Sequence, residues 1–510
     1  MPNLTHTPTF TSTEAASLAA DIYGITATAT PLPGERDQSF RLDTPTGDTF
    51  VLKIANGQED AGLLEAQTEA LRRTEATGIC PRILPAADGA WMTQIDGANG
   101  SRHWVRLLTF LPGTPLAQQP RQTPALLRDV GRRVAQVDAA LADFDHPAIH
   151  RDFNWDLAQG LAVVEKYSPL IADRSMAALV KKLTADHRRQ TALLLPDLPR
   201  QVIHNDANDY NLLVGGQSGG GDELYSRNQQ VVGLIDFGDL VHSYRVGGLA
   251  VAAAYAVLDK ADPLAAAAEI VAGYHSVTPL TGAELAALWG LIHLRLCVSV
   301  CMAAYQQSQR PDDAYLAISQ QPIQRTLPRL ATIHPRFAEA VFRHACGLTP
   351  LPASERLVAW LDAQPFAPVM DAQSYTVFDL SVGSPLLSGD EAENSPALLN
   401  ARLTAQMQAS GASVGVGRYD EARLIYTAAM FGALPHPSPP HIGEGADSAR
   451  PSMEENTEPA PPPVWGRLGG GGERRTIHLG IDLFAPAGSP VYAPLAGTLH
   501  AFADNAAAQD

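Results

Sequence analysis

Cysteine is scarce in this chain of 510 residues, which contains only Cys80, Cys297, Cys301 and Cys346. Four widely separated cysteines are too few for the dense disulfide framework of a small secreted protein. Cys297 and Cys301 lie four residues apart in an apolar run, about one turn of a helix. We therefore expect these two residues to be small core side chains and not a redox pair.

Positive charge is also in short supply, because 37 lysines and arginines stand against 54 aspartates and glutamates. The formal net charge is -17, and no run of basic residues could follow a phosphate backbone, so nucleic acid is not an expected partner. The N-terminus lacks the basic and apolar regions of a signal peptide, and we find no run of about 18 apolar residues. These absences predict a soluble, cytoplasmic protein without a membrane partner.

Two motifs in the middle of the chain carry the chemistry. The first begins after an apolar strand and contains His204, Asp206 and Asn211, and the second is an apolar run that ends on Asp236-Phe-Gly. Phosphoryl transfer needs a carboxylate near the attacking hydroxyl and oxygen ligands that hold magnesium on the phosphates. We therefore predict Asp206 as the catalytic base and Asn211 and Asp236 as magnesium ligands. Each motif alone is common turn chemistry, but the two motifs in this order favour a kinase-like site.

The N-terminal region is predicted to hold a nucleotide. Residues 49–54 form a predicted strand after a turn, and Lys53 alternates there with apolar residues. A lysine on this strand binds nucleotide phosphates in kinases, so Lys53 is the candidate, although a solvent-facing lysine is the commoner case. Gly34 is the only glycine near the preceding turn. Backbone amides and the Ser39 hydroxyl are therefore expected to supply more of the phosphate contacts.

A helix is predicted over residues 65–77, which are strong helix formers and precede Gly78 as a C-terminal cap. One acid of this helix is expected to orient the strand lysine. Glu69 is the first choice and Glu65 is the second. An exposed position on the solvent face of the helix is an equally good interpretation of both acids.

Five segments resemble the aminoglycoside phosphotransferase superfamily, and within it the hydroxylysine kinase group: residues 34–40, 51–56, 105–113, 204–211 and 236–239. The resemblance implies an α+β, two-lobed protein-kinase-like fold for residues 1–345. A small, mainly antiparallel β lobe would occupy about 15–112, and a helical lobe about 113–345. It also implies ATP or GTP with Mg²⁺, and γ-phosphate transfer to a hydroxyl of an amine-bearing small molecule. Asn205 departs from this pattern, because the superfamily usually has glycine there.

The acceptor site is predicted only broadly. An amine-bearing acceptor needs acidic or aromatic groups near the catalytic base, and four side chains are candidates: Asp209, Asp239, Trp155 and Asp156. The run that contains Trp155 and Asp156 is equally compatible with a helix start that packs its tryptophan. His204 is expected to support the catalytic loop.

The last third of the chain changes character twice. Residues 366–433 predict a small α/β segment. Residues 434–475 follow, and the stretch 435–475 contains 16 prolines and glycines among its 41 residues. That composition predicts a disordered linker or insertion.

Residues 476–510 resemble the opening of a lysostaphin-like zinc metallopeptidase domain. In that family a His-x-Gly-x-Asp motif contributes two zinc ligands, which correspond to His478 and Asp482. A catalytic zinc site needs three protein ligands and an open position for water, and no later His-x-His motif follows. The resemblance therefore implies a truncated β module with an incomplete zinc site, as in the front part of a larger kinase, peptidase and aminotransferase fusion. A kinase-shaped scaffold and a metallopeptidase fragment stay open as alternative functions.

Overall fold

The computed structural model describes residues 6–34, 37–97, 100–216, 229–309, 314–388, 394–419, 421–423, 477–478 and 481–494. The chain divides into two compact units, Met1–Glu355 and Arg356–Asp510. The linker predicted over residues 434–475 lies outside the described residues.

The N-terminal lobe of the first unit is a six-stranded antiparallel sheet with a helix against each face. Its elements are α1 (Ser12–Tyr23), β1 (Thr28–Leu32), β2 (Gln38–Asp43), β3 (Thr49–Ile54), α2 (Ala61–Thr74), β4 (Ile83–Leu84), β5 (Thr93–Asp96) and β6 (Arg102–Thr109). The strand order is β1-β2-β3-β6-β4, and β5 also pairs with β6. A short 3-10 turn follows α2, and Gly78 then adopts a φ of 69°, as its predicted capping role requires.

Side-chain alternation separates the two faces of this sheet. One face packs against Ala15 and Ala19 of α1 and contributes these core residues: Phe40, Leu42, Leu52, Ile54, Val105 and Leu107. Because successive side chains of a strand point to opposite faces, the residues between them point toward α2. The predicted nucleotide-binding residues Ser39 and Lys53 are on this second face.

The helical lobe follows β6. Its elements are β7 (Thr114–Pro115), α3 (Pro124–Ala140), α4 (Gly160–Tyr167), α5 (Arg174–Asp186), β8 (Arg200–Ile203), β9 (Leu212–Gly216), β10 (Gln229–Leu234), β11 (Val241–Tyr244), α6 (Arg245–Ala256), α7 (Pro263–His275), α8 (Gly282–Gln309), α9 (Ala314–Leu330) and α10 (Pro335–Ala345). Strands β10, β9 and β7 form one small antiparallel sheet, and β11 pairs with β8. The two small sheets carry the predicted catalytic motifs, and the helices pack around them.

The central helix α8 is apolar on almost every side. In the part of the chain that the structure describes, it is the one helix that is long and apolar enough to cross a membrane, with a mean hydropathy of 1.8. However, 94% of that apolar window is buried inside the protein, which is typical of a core helix. Cys297 and Cys301 lie in this helix as buried free thiols, and burial raises the pKa of both. Both are core residues, as expected.

Helices α3 and α7 approach each other at two glycines. A Cβ atom on Gly131 would lie 1.8 Å from the carbonyl oxygen of Ile270, and one on Gly273 would lie 1.8 Å from that of Arg128. No side chain fits at these distances. The two glycines therefore set how closely the two helices pack.

The second unit contains α11 (Pro352–Asp362, which begins before the division), β12 (Tyr375–Phe378), α12 (Pro396–Ser410), β13 (Val414–Gly417), β14 (Glu421–Ala422), β15 (Ile477–His478) and β16 (Leu483–Phe484). Strand β13 pairs in parallel with β12 and antiparallel with β16, and β14 pairs with β15. Segments that the sequence analysis placed in two separate modules, 366–433 and 476–510, therefore share their sheets. Phe378, Leu380 and Leu403 form the small core of this unit.

Asp482, one of the predicted zinc ligands, has a different partner in the structure. Its Oδ2 atom forms a salt bridge with Arg423, which also binds Glu421. The backbone of His478 pairs with that of Glu421 in the ladder between β14 and β15. The carboxylate of Asp482 is thus engaged by a cation, and this pairing does not support its assignment as a zinc ligand.

Candidate active site

The catalytic loop connects β8 to β9 and folds around Asp206. Asn211 donates a hydrogen bond from Nδ2 to Asp206 Oδ2 at 2.8 Å and a second one to the Asp206 carbonyl oxygen at 2.9 Å. Asn208 donates from Nδ2 to the other carboxylate oxygen, Oδ1, at 2.9 Å. The structure therefore brings the predicted base and the predicted metal ligand Asn211 into direct contact.

His204 supports this loop through hydrogen bonds to its backbone and to the neighbouring motif. Its Nδ1 atom accepts a hydrogen bond from the Asp206 amide at 3.2 Å, so the ring proton must reside on Nε2, which donates to the Ile235 carbonyl at 3.2 Å. Burial lowers the pKa of His204 to about 4, which keeps the ring neutral. The ring also packs edge-on against Phe237. His204 links the two motifs and does not face the cleft as an acid or base.

The turn after β10 places Asp236 beside the catalytic loop. The Ile235 amide donates to the Asn211 carbonyl at 3.0 Å, which joins the two motifs. Asp236 adopts a φ of 66°, a left-handed conformation that is uncommon for residues other than glycine. Arg151 anchors the far side of the turn by donating from Nη2 to the carbonyls of Gly238 and Leu240, at 3.0 and 3.1 Å.

Lys53 connects the N-terminal lobe to this turn. Its Nζ atom lies 3.5 Å from Asp236 Oδ1, and its side chain is 20% exposed. Ser39 is its partner across the β2–β3 ladder, so both side chains lie on the same face of the sheet. The structure thus gathers Ser39, Lys53, Asp236 and the catalytic loop around one cleft.

The helix acids do not reach Lys53. Glu69 binds Arg72 and Arg73 of its own helix at 2.8 and 3.0 Å, and Glu65 is exposed. The two acids are four residues apart and share the solvent face of α2, whereas Gln67 lies on the buried face. The expected contact between Glu69 and Lys53 is therefore absent, and Lys53 pairs with Asp236 instead.

Burial raises the pKa of Asp206 to about 8. The negative charges of Asp239 and Asp236 act in the same direction, while the positive charge of Arg295 and a hydrogen bond from Asn208 oppose them. The side chain of Asp206 still retains 21% of its exposure, so a ligand in the cleft can reach it.

Arg295 is a site residue that sequence reasoning missed. It lies in α8, is 2% exposed, and donates from Nη2 to Asp206 Oδ1 at 3.2 Å. It also donates from Nη1 to the Trp155 carbonyl at 3.0 Å and lies over the Trp155 ring. One signal could have revealed it, because it is a lone arginine in the middle of a long apolar helix.

The four predicted acceptor-binding residues have different surroundings. Asp239 is close enough for its charge to raise the pKa of Asp206, and burial raises the pKa of Asp209 to about 6. Trp155 stacks against Arg295, with its ring centroid 4.6 Å from the guanidinium. Asp156 is only 3% exposed, and its carboxylate binds the Ser243 hydroxyl and the Ala158 amide. Asp156 is therefore a structural residue that no acceptor can contact, contrary to expectation.

The donor atoms of the site suit magnesium. Nδ2 of Asn211 is used by Asp206, which leaves Oδ1 outside these hydrogen bonds, and Asp236 adds a carboxylate that is 53% exposed. Within the described residues no group of three or more His, Cys, Asp or Glu side chains could hold a metal ion. Magnesium commonly uses one or two carboxylates and completes its shell with substrate phosphates and water. The residues present therefore fit a magnesium ion that binds together with a nucleotide.

The antiparallel β lobe, the helical lobe and the cleft between them define a kinase-like phosphotransferase that acts on a hydroxyl acceptor. Residues 28–288, just over half of the chain, match a family model described as the phosphotransferase enzyme family. The chain belongs to this family.

Two hydroxylysine kinases and one solved kinase structure are similar to this chain. The hydroxylysine kinase of Danio rerio is 31% identical over 341 residues, which cover 64% of this chain and 92% of the relative. The hydroxylysine kinase of Bos taurus is 30% identical over 332 residues, covering 61% of this chain and 87% of the relative. Among solved structures, a microcompartment-associated aminopropanol kinase aligns with a TM-score of 0.47 and 18% identity, covering 66% of this chain and 98% of that one.

Proposed function

We propose that this protein is a small-molecule kinase that transfers the γ-phosphate of ATP or GTP to a hydroxyl of an amine-bearing acceptor, a hydroxylysine-like compound or an amino alcohol. The observation that carries this proposal is the cluster of Lys53, Asp206, Asn211 and Asp236 around one cleft. The names of the relatives support a hydroxylated amine as acceptor. The acidic net charge of -17 disfavours nucleic acid as a partner.

Each residue of the cluster has a distinct task in this mechanism. Asp206 accepts the proton of the acceptor hydroxyl or orients that hydroxyl, while Asn211 holds the residue through one hydrogen bond to its carboxylate and one to its backbone carbonyl oxygen. Lys53 binds the phosphates, with Ser39 beside it on the neighbouring strand. Asn211 and Asp236 would hold a magnesium ion, which would neutralise negative charge on the transferred phosphoryl group.

Acidic and aromatic side chains near Asp206 would hold the acceptor. Asp239 offers a negative charge for an ammonium group, and Asp209 adds a second carboxyl that is partly buried. Trp155 offers an aromatic face beside Arg295, which itself donates a hydrogen bond to Asp206 and occupies one side of the Trp155 ring. We propose that Asp239, Asp209 and Trp155 form the acceptor side of the cleft.

The experiment is magnesium-dependent turnover of ATP and of GTP with a panel of hydroxylysine, homoserine, ethanolamine and an aminoglycoside. We expect at least one acceptor to stimulate turnover, and Asp206→Asn to lower that turnover by about 100-fold or more. Glu165→Gln, which alters an exposed surface ion pair, serves as the control and should behave as wild type.

Turnover by the wild type that does not exceed that of Asp206→Asn with any acceptor would contradict the proposal. Nucleotide binding without such turnover would instead indicate a kinase-shaped scaffold. Calorimetry measures nucleotide binding independently of turnover, so it distinguishes a scaffold that binds nucleotide from a protein that does not bind it.

A further inference from the structure

Among the residues that the structure describes, Arg106 is a buried cation without a buried counter-charge. It lies on β6 and is 2% exposed, and its Nη2 atom donates to Gln67 Oε1 of α2 at 2.9 Å. Its Nε atom is buried and has no hydrogen-bond partner in the described part of the chain. No carboxylate of the described residues lies within ion-pair distance of it. Burying a charge with only a neutral partner costs free energy, so such an arrangement calls for a functional explanation.

The position of Arg106 supplies that explanation. In the sheet of the N-terminal lobe, Ser39 pairs with Lys53, and Lys53 pairs with Arg106. Directly paired residues of an antiparallel ladder point to the same face and lie about 5 Å apart. The three side chains therefore form one row across β2, β3 and β6. In this row Arg106 lies next to the lysine that is proposed to bind phosphate.

Negatively charged side chains of the cleft influence the pKa of Arg106. Burial lowers the pKa of its guanidinium, and the negative charges of Asp37, Asp236 and Glu59 oppose this effect. Asp236 is also the ion-pair partner of Lys53. Arg106 thus shares the electrostatic environment of the proposed magnesium and phosphate site, although it does not open to solvent.

We propose that Arg106 is a positioning residue of the nucleotide site, which supplies a fixed positive charge behind Lys53, and that Gln67 holds this charge in place without neutralising it. An acid at position 67 would bind Arg106 and cancel its charge. With a neutral glutamine at position 67, both Lys53 and Arg106 attract the phosphates, and burial fixes the position of Arg106. This inference rests on the proposed function, because it assumes that a nucleotide binds in this cleft.

Gln67→Glu is the sharpest test, because glutamate has the same shape and differs mainly in charge. We expect the variant to bind MgATP and MgGTP on the order of tenfold more weakly, while its affinity for the nucleosides adenosine and guanosine stays unchanged. Its resistance to urea should be equal or higher, since the new ion pair satisfies Arg106. A loss of phosphate affinity without a loss of stability separates electrostatic positioning from a structural role.

Two further variants complete the experiment. Gln94→Glu is the matched control, because Gln94 accepts a hydrogen bond from Arg102 at an exposed edge of the same sheet and should show wild-type nucleotide affinity. Arg106→Lys keeps the charge and should retain more nucleotide affinity than Arg106→Met. All affinities are measured by calorimetry without acceptor, so the test does not depend on turnover.

The outcomes are distinguishable. If wild type binds nucleotides and Gln67→Glu binds them equally well, the role of Arg106 is refuted while the proposed function stands. If Gln67→Glu weakens nucleosides and nucleotides by the same factor, the effect is structural and the inference is again refuted. If wild type binds no nucleotide in the presence of magnesium, both the inference and the proposed function fail.

Discussion

Arg295 of the core helix α8 donates a hydrogen bond to Asp206, with 3.2 Å between Nη2 and Oδ1. The guanidinium is held on its other sides by the Trp155 carbonyl and by the rings of Trp155 and Tyr255. A side chain fixed in this way cannot follow a moving partner. Asp206 is therefore oriented from two directions, by Asn211 from its own loop and by Arg295 from the centre of the helical lobe.

Replacement of Arg295 by methionine is expected to impair catalysis through Asp206. The positive charge of Arg295 lowers the pKa of Asp206 against the effect of burial. Without it that pKa rises, the carboxylate is protonated up to a higher pH, and the rising limb of the pH–kcat profile moves to higher pH. We expect kcat at neutral pH to fall with the ionised fraction of Asp206, which decreases tenfold for each unit by which its pKa rises.

The measurement is kcat for the best acceptor between pH 6 and 10. Arg128→Met is a suitable control, because Arg128 is exposed and paired only with Glu269. Arg295→Lys should shift the profile less than Arg295→Met. A methionine variant that folds and shows the wild-type profile would contradict the assigned role.

The backbone conformation of Asn205 explains why asparagine can stand where the superfamily usually has glycine. Its φ is 64°, which costs most L-residues about 1–2 kcal/mol but asparagine less. Asn205→Gly should therefore fold normally and change the free energy of unfolding by no more than about 1 kcal/mol. Asn205→Val should lose about 2 kcal/mol or more, because a β-branched residue tolerates this conformation poorly. Urea denaturation of both variants checks the difference, and equal stability of the two would show that the backbone conformation is not the constraint.

The proposed catalytic cluster was predictable from sequence because its members lie in loops that follow apolar strands or, for Lys53, on such a strand. Asp206 and Asn211 share one loop, Asp236 follows the next strand, and Lys53 alternates with buried residues. In each case the local pattern determines both the element and the direction of the side chain. The two-lobed α+β fold was predicted on another ground, the resemblance of five sequence segments to the aminoglycoside phosphotransferase superfamily.

The residues that were missed or wrongly assigned depend on geometry that no local pattern contains. Arg295 is 89 residues from Asp206 in sequence, and only helix packing brings them together. Glu69 looked suitable by residue type, but the rotation of α2 puts Gln67 on the buried face. Asp156 was a candidate because an amine-bearing acceptor needs acidic groups near the catalytic base, whereas its carboxylate binds the Ser243 hydroxyl.

The buried carboxyl of Asp138 makes stability depend on pH. Burial raises its pKa from 3.8 to about 7, although Tyr274 donates a hydrogen bond to it at 2.8 Å. The folded state thus binds a proton that the unfolded state has already released, so this group contributes less stability as pH rises from about 4 to about 7. The expected slope is on the order of 1 kcal/mol per pH unit.

Asp138→Asn should remove that slope. We expect the stability of the variant relative to wild type to improve between pH 5 and pH 7.5, as measured by urea denaturation at both values. Asp145→Asn is the control, because Asp145 is exposed and its pKa is lowered by His150. A wild-type-like pH dependence in Asp138→Asn would show that another group governs the effect.

The contact between α3 and α7 should tolerate no side chain at its two glycines. In Gly131→Ala the new Cβ would lie 1.8 Å from the Ile270 carbonyl oxygen, so the helices must separate. We expect a loss of about 3 kcal/mol or more in the free energy of unfolding. Gly282→Ala is the matched control at the start of α8, where the nearest atom is the flexible end of Arg343 at 3.2 Å, and its stability should stay within about 1 kcal/mol of wild type.

The double variant Gly131→Ala/Gly273→Ala tests the cause of this loss. Gly273 meets the Arg128 carbonyl oxygen across the same interface, also at 1.8 Å. Once the helices have separated to admit one methyl group, the second methyl group needs little further movement. The double variant should therefore lose clearly less stability than the two single losses together, because neighbouring sites that share one backbone shift are not additive. Full additivity in urea denaturation would mean that each glycine acts through its own helix, and the close approach of α3 and α7 would not be the reason for the glycines.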